Sequence, residues 1–475
     1  MNINDLANSI EGKIVGSDDY YQNQEFTGRF TLLNDSSTGD IVIRHWINGK
    51  GIEIAADKKI SCLITQNPKD GAVETADRLN FPLIVTDKIE LANAYALKWT
   101  INNYSPDSTN IIITGTNGKS TTSHLIYHIL DNAGFKVFTN TDSESEFNTL
   151  IDPMVSKMIS DEVKNKGDLD YLVVEVSEVQ GWLDKLMKNH AALMSDAISP
   201  DVAVITNIAM DHIGLVNSVE DVFNEISKVP DVLGDGICIL NYDDELVRKL
   251  NSNNSFYWSM TNHDVDLYFD DGIYYEGDRI IDFDDLPFSS NHFIQNILSA
   301  VGACISLGID LDSIKHGVKS YTALNRRFMK LHDKPLIIDD FAHNPDGIKN
   351  TVNESIKLLK DNQTLFVVCS IRGSRGVEIN KLNVNALVDV LNDDCKLILS
   401  SSNDVVDNLN YVSDDERNIF FNVLDKNNID YKHFDNLKEC LFETYNSAND
   451  NDIILLIGAQ GMDLAGFILD KLLSA

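Results

Sequence analysis

Residues 111–122 read Ile-Ile-Ile-Thr-Gly-Thr-Asn-Gly-Lys-Ser-Thr-Thr. An apolar strand runs into a loop bounded by Gly115 and Gly118. Lys119, the Ser120 hydroxyl, Thr121 and a helix follow. This order dictates a strand–loop–helix unit, which restricts the chain to α/β architectures. It is also how a chain grips a triphosphate: glycines let backbone N–H groups face the phosphates, the lysine neutralises them, and the serine hydroxyl is placed to ligate magnesium. The loop is short. The common nucleotide motif has four residues between its first glycine and the Gly-Lys pair; here only Thr116 and Asn117 intervene.

Around this unit the chain is long enough for about three domains among its 475 residues. Its formal net charge of −34 argues against a general binder of nucleic acid or anionic membrane, since those partners need a basic surface. An acidic protein that still binds ATP must concentrate its positive charge in the site. No stretch is apolar for long enough to span a bilayer, and the N-terminal Met1-Asn2-Ile3-Asn4-Asp5 has no basic region followed by an apolar run. The six cysteines are scattered, without metal-ligand spacing or a disulfide framework, which fits a reducing cytoplasm.

Residues 1–105 alternate short strands and turns. Strands are expected at Phe26–Leu33, Asp40–Ile43, Ile60–Ile64 and Pro82–Thr86, and helices at Ala72–Leu79 and Ile89–Trp99. Asn102–Asn110 breaks all periodicity and reads as a linker. Residues 106–325 carry strands at Asn110–Thr114, Tyr171–Val176, Val202–Asn207 and Ile237–Asn241, separated by helical patterns. That alternation predicts a mostly parallel sheet. Phe256–Phe283 reads as inserted β-hairpins, and His292–Leu307 as a helix. Residues 326–475 repeat the theme, with strands at Pro335–Ile338, Leu365–Cys369, Lys396–Ser400 and Ile453–Ile457.

Four further clusters carry chemistry. The apolar strand Tyr171–Val174 ends in Glu175, then Val176 and Ser177; a carboxylate after such a run calls for water or a cation, and magnesium held by Ser120 is within its expected reach. The next strand ends in Thr206-Asn207 and continues to Asp211-His212. A neutral imidazole at His212 suits a second divalent cation. Asn325-Arg326-Arg327-Phe328 places two arginines at a domain junction, where a phosphate contact is expected. Finally, Ile337-Ile-Asp339-Asp340-Phe-Ala-His343-Asn344-Pro345 ends a strand in two acids and starts a helix with proline. Asp340 is placed to accept bonds from a ribose, and His343 to cap the helix or touch the nucleotide.

These clusters, in this order, resemble the Mur ligase superfamily, which makes amide bonds with ATP. The resembling segments are Thr114–Thr121, Glu175-Val-Ser177, Thr206-Asn207 with Asp211-His212, His292 with Asn296, Arg327-Phe328 and Asp340–Pro345. Asn34-Asp35-Ser36-Ser37-Thr-Gly-Asp40 resembles the stretch by which the MurE and MurF types begin. The resemblance implies three domains: a small α/β substrate domain (1–105), a central ATPase (106–325) and a C-terminal Rossmann-like domain (326–475). It implies a mechanism in which a substrate carboxylate takes the γ-phosphate of ATP and the resulting acyl phosphate is attacked by an amine. By family analogy Ser120 and Glu175 hold the first magnesium and His212 contributes to the second. Lys119 and Arg327 neutralise phosphate charge, and Asn296 and Asp340 contact adenine and ribose.

Departures from the family pattern are informative. The carbamylated lysine of most muramyl ligases falls near Ile226 here, with Glu225 one residue before and Lys228 two residues after. Glu225 is therefore expected to supply that carboxylate directly, with Lys228 the alternative. The diaminopimelate-adding enzyme carries Asp-Asn-Pro-Arg where this chain reads Ser400-Ser-Ser-Asn403-Asp404-Val405, which argues against diaminopimelate. Ser370-Ile-Arg372-Gly-Ser-Arg375-Gly376 offers two arginines for a second carboxylate of an amino-acid substrate. Asp35, Ser36, Ser177 and Asp404 complete the expected substrate residues.

The mixture resembles the Mur-like ligases of methanogenic archaea. It implies an ATP- and Mg2+-dependent peptide ligase of pseudomurein synthesis, acting on a UDP-linked peptide and a free amino acid. The family default is a cytoplasmic monomer, without nucleic-acid binding or membrane insertion. The alternatives are the related ligase that closes a ring on the nickel tetrapyrrole of methanogens, and a bacterial-type MurE or cyanophycin-like ligase. A non-catalytic scaffold or amidotransferase subunit is disfavoured, because Lys119, Glu175 and His212 are all present and a four-cysteine zinc insertion is not.

Overall fold

The computed structural model describes residues 2–16, 23, 25–26, 28–141, 152–182, 185–211, 215–287, 290–408 and 410–473. His212 lies outside the described residues. The chain divides into two compact units, Met1–Tyr321 and Thr322–Ala475. It is a mixed α/β protein with three large sheets, as the sequence predicts.

The first unit holds two of them. The smaller sheet runs, in spatial order, Lys13–Val15, Leu83–Val85, Cys62–Pro68, Ile41–Ile47 and Phe30–Thr31. All its pairings are parallel except the one made by Lys13–Val15. The larger sheet has nine strands. From one edge it runs Val137–Thr139, Tyr171–Glu175, Thr109–Thr114, Val202–Ile205, Ile237–Asn241 and Ser255–Ser259. Leu267–Phe269 continues it in parallel, and Gly272–Tyr275 and Asp278–Asp282 close it antiparallel. The strand Thr109–Thr114 thus sits inside the sheet, and Ile111, Ile112 and Ile113 are wholly buried. Helices covering both faces of a parallel sheet require such unbroken apolar runs.

Two expectations change here. Ser255–Ser259 is no hairpin: it pairs in parallel with Ile237–Asn241, and only the segment from Leu267 onward forms hairpins. The expected linker is shorter than Asn102–Asn110: its first three residues end a helix, its last two begin a strand, and only 105–108 connect them. Ile89–Tyr104 is one continuous helix, and the next strand begins at Thr109. The helix buries two faces. Ile89, Ala92 and Ala96 enter the core of the smaller sheet, while Ala94, Leu97 and Ile101 enter that of the larger one. Asn102 and Asn103 are exposed, and their polarity masks a helix anchored by Ile101.

The second unit is a six-stranded sheet in the order Met329–Asp333, Leu336–Asp340, Ile453–Ile457, Leu365–Ser370, Cys395–Ser400 and Tyr431–Phe434. All pairings are parallel except that of Met329–Asp333. Apolar cores cover both of its faces.

Candidate nucleotide and ligase site

In an open parallel sheet, ligands gather at the carboxyl ends of the strands. In the first unit three adjacent strands end together: Ile113 is level with Glu175, and Thr114 with Ile205. The register brings the loop 115–118, the turn 175–178 and the segment 206–211 to one edge.

The loop is clamped by its neighbour. The Asn117 N–H donates to Asn207 Oδ1 at 2.9 Å, while Thr206 Oγ1 and Asn207 Nδ2 donate to the Asn117 carbonyl at 2.7 and 2.8 Å. Thr116 exchanges bonds with the Ala209 backbone through its hydroxyl. Gly115 (φ 120°) and Gly118 (φ 85°) lie where L side chains are strained. A Cβ on Gly115 would overlap the Thr206 hydroxyl, and one on Gly118 would overlap the Asn296 carboxamide. Asn296, on the helix Asn291–Ser306, therefore stands directly against the loop. Lys119, Ser120 and Thr121 open the helix Lys119–Asn132, whose amino end favours anions. Thr121 is buried.

Lys119 Nζ donates to the Gly115 carbonyl at 2.7 Å, the Thr116 carbonyl at 3.0 Å and Glu178 Oε2 at 2.8 Å. Burial alone would pull the ammonium down. Glu178, Glu175 and Asp211 outweigh it and hold Lys119 above the usual lysine range. Glu178 is wholly buried and is the site residue that sequence reasoning missed. Its signal was a second carboxylate one turn after Glu175. Glu175 is itself 5 % exposed, and its backbone exchanges two bonds with the Asn140 side chain.

The remaining first-unit candidates have other partners. The Ser177 hydroxyl is buried and donates to the Val179 carbonyl at 2.7 Å, so it shapes the turn. Glu225, on the helix Val219–Ile226, accepts from the Asn189 N–H, and Lys228 Nζ donates to Asn189 Oδ1 at 2.6 Å. Burial pushes the Glu225 carboxyl up, against bonds that favour its charge. Both candidate sources of the second-metal carboxylate thus converge on Asn189, next to His190, whose ring reaches the Ser177 carbonyl at 3.4 Å. In the smaller sheet Asp35 is exposed, whereas the Ser36 hydroxyl is buried and donates to the Leu33 carbonyl. Lys58 ties the carbonyls of Leu33, Asn34 and Ser36 together.

Magnesium binds through one or two carboxylates plus water and phosphate oxygens, rather than an all-protein cage. Ser120 with Glu175 suits that habit. Among the described residues no three histidine, cysteine or acidic side chains form a metal cluster.

In the second unit the two arginines flank one ring, and Arg326 also enters a carboxylate knot. Arg326 bonds Asp339, Asp463 and the carbonyls of Gly458 and Ala459, a structural knot that binds two strand ends. Burial pushes the Asp339 carboxyl up to about 6, with Arg326 opposing. Both guanidinium groups lie over the Phe341 ring, that of Arg326 4.9 Å and that of Arg327 5.3 Å from its centroid. Asp340 accepts from the Phe328 N–H, the Ala342 N–H and the Thr351 hydroxyl at 2.7–3.0 Å, so both its oxygens already hold the turn. The helix Pro345–Lys357 is capped by Asn344, not His343; the His343 ring turns to the Phe341 carbonyl at 2.8 Å.

The loop carrying Arg372 and Arg375 is preformed. Glu416, unnoticed in the sequence, accepts from the N–H groups of Ser374, Arg375 and Gly376 and from Ser413. Asp404 accepts from the N–H groups of Leu437 and Lys438 and so caps the helix Leu437–Ser447.

The Mur ligase middle-domain family matches residues 113–304, and the Mur ligase glutamate-ligase (C-terminal) domain matches residues 326–460. A UDP-N-acetylmuramate–L-alanine ligase of Brachyspira hyodysenteriae is 28 % identical over 368 residues, covering 74 % of this chain and 73 % of that protein. Among solved structures, MurF from Acinetobacter baumannii superposes with a TM-score of 0.70 at 17 % identity, covering 100 % of this chain and 99 % of the other. A pseudomurein peptide ligase type C from Methanothermus fervidus gives 0.61 at 18 % identity, covering 91 % and 95 %. No helix among the described residues is long and apolar enough to cross a membrane. With the family's middle and C-terminal domains matched over residues 113–304 and 326–460, the chain belongs to the Mur ligase superfamily of ATP-dependent ligases.

Proposed function

We propose that the protein is an ATP- and Mg2+-dependent peptide ligase that adds an amino acid to a UDP-linked peptide precursor of pseudomurein, working as a cytoplasmic monomer. The observation that carries the ligase chemistry is the convergence of Lys119, Glu175 and the clamped loop 115–118 at the ends of three neighbouring strands. Phosphoryl transfer between two anions needs positioning and charge neutralisation more than covalent help. The loop N–H groups and Lys119 bind and orient the phosphates. Ser120, Glu175 and His212 hold magnesium, which when bound neutralises the developing phosphate charge. Arg327 meets the transferred phosphoryl group, and Asn296, Asp340 and His343 bind the adenosine. The substrate carboxylate, activated as an acyl phosphate, is then attacked by the amine of the incoming amino acid.

Arg372 and Arg375 are the proposed holders of that amino acid's carboxylate. The domain limits at 105/106 and 325/326 belong to the same reading, as does the pseudomurein assignment. The latter is supported by the Asp35–Asp40 stretch, by the Ala342–Pro345 motif and by the likeness in fold to an archaeal pseudomurein ligase. The test is phosphate release from ATP with UDP-linked peptides and single amino acids, with hydroxylamine added to trap the acyl phosphate. Release that depends on one amino acid, with a hydroxamate formed in its absence, is expected. Release that no amino acid stimulates, or that responds only to a tetrapyrrole acid, overturns the proposal.

A further inference from the structure

The loop 33–40 beside the smaller sheet is pinned at both ends by charged side chains. At its far end the buried Asp40 carboxylate accepts from the N–H groups of Arg29 and Ser37 at 3.1 and 2.8 Å. At its near end stands Lys58, which closes the helix Gly49–Asp57, a place where a cation is favoured. An ammonium group has three N–H donors. Lys58 Nζ gives them to the carbonyls of Leu33, Asn34 and Ser36 at 2.9, 2.8 and 3.3 Å. Three carbonyl oxygens of one turn thus face a single charge. Rings of backbone carbonyls replace the water shell of a free cation in selective channels; here the cation is tethered. The Ser36 hydroxyl reinforces the turn by donating to the Leu33 carbonyl at 2.8 Å. Asp35, inside the same turn, is exposed.

We propose that Lys58 is a positioning residue for the UDP-linked substrate: it gathers the carbonyls of turn 33–36 onto its ammonium and so fixes the turn in the shape that receives the diphosphate. This rests on the reading of Asp35–Asp40 as part of the UDP site. In a chain of net charge −34, a diphosphate approaching this turn meets the Asp35 carboxylate. Carbonyl oxygens drawn to an ammonium add less negative potential than oxygens left facing the substrate, and the ammonium offsets Asp35. Lys58 acts through the backbone of the turn and not by touching the reacting atoms. An untethered cation of the same shape can therefore stand in for it.

The test is UDP binding by calorimetry on the full-length protein, with ADP in excess so that loop 115–118 is occupied. Lys58→Ala should bind UDP about tenfold or more weakly than the wild type. It removes three methylenes and the ammonium, which n-propylammonium chloride replaces. That salt, against sodium chloride at equal ionic strength, should bring Lys58→Ala back to within about threefold of the wild type. Lys58→Met should be weakened to a similar degree and gain nothing from the salt, because its own side chain fills the channel. Hydrogen exchange in Ile41–Ile47 checks that the sheet stays folded; where alanine at 58 unfolds it, Lys58→Met carries the comparison. UDP bound by either variant as tightly as by the wild type overturns the positioning role. So does a folded Lys58→Ala that n-propylammonium fails to restore, or an equal gain in Lys58→Met. Failure of the wild type itself to bind UDP overturns the reading of Asp35–Asp40 as a UDP site, and the positioning role with it.

Discussion

Two glycines flank the helix Lys119–Asn132, both with positive φ: Gly118 at 85° and Gly134 at 92°. They form a matched pair for testing what the phosphate loop needs. Alanine at either position carries the left-handed backbone penalty of about 1–2 kcal/mol. A Cβ on Gly134 meets nothing within 4 Å, whereas one on Gly118 runs into the Asn296 carboxamide. Asn296 is 8 % exposed and touches the Thr122 hydroxyl at 3.5 Å. Pushing a buried amide off its partners adds about 1–3 kcal/mol. Gly134→Ala should thus cost about 1–2 kcal/mol and leave nucleotide affinity intact. Gly118→Ala should cost about 2–5 kcal/mol and weaken nucleotide binding about tenfold or more. Hydrogen exchange of the amides in 119–132 measures the local stability, which a global melt of a two-unit chain blurs, and ADP titration measures affinity. Equal costs for the two variants, with ADP bound normally by Gly118→Ala, would refute the reasoning.

Other perturbations separate structural from chemical roles. Arg326→Ala leaves the buried Asp339 without its cation and should destabilise the second unit by about 3–5 kcal/mol, seen in denaturant melts. Arg327→Ala should instead drop turnover with little loss of stability. Glu225→Ala should shift the magnesium dependence of turnover if Glu225 reaches the second metal; unchanged dependence assigns it to Asn189 alone. Burial pushes the Glu416 carboxyl up, but the N–H groups of Ser413, Gly376 and Arg375 and the Ser413 hydroxyl outweigh it and hold it below its ordinary 4.5. Its contribution is therefore complete above that value and is lost as pH falls through the folded one, so exchange at residues 374–376 should quicken in acid, and Glu416→Gln should remove that dependence. Burial, with His128 adding to it, lowers His124 to about 4 from 6.5. The neutral ring is stabilising above 6.5, and that stability declines as pH falls toward 4; His124→Gln should flatten the melting curve's pH slope there.

Sequence reading succeeded where apolar runs were unbroken or the helical period was clean. Ala72–Leu79, Ile237–Asn241 and Ile453–Ile457 match the observed elements to the residue. It missed Met329–Asp333 and Tyr431–Phe434, edge strands that are half-exposed and so lack a clean pattern. The phosphate loop was legible because its conformation is local. Glu178 was not, because the cation that explains it stands 59 residues upstream. Asp404 and Ser177 looked like substrate groups because strand ends carry both ligands and caps, and only the partners distinguish the two. Arg326 and Arg327 are equivalent in sequence; the fold lays both over the Phe341 ring and draws Arg326 into a carboxylate knot as well.

The clamp on the phosphate loop has a temporal side. Thr206 and Asn207 lie about 90 residues beyond the loop they hold. Ribosomes release domains from the N-terminus onward, so the loop emerges long before its clamp. Contacts this distant in sequence also form late, after their loop-closure entropy has been met. A nascent chain therefore carries the loop in an unclamped form, and the loop gains its clamp only once the strand Val202–Ile205 has docked. Nucleotide held at the proposed site needs the docked sheet, so it should favour the native chain by mass action, and ADP should raise the yield of refolded protein if that site is right.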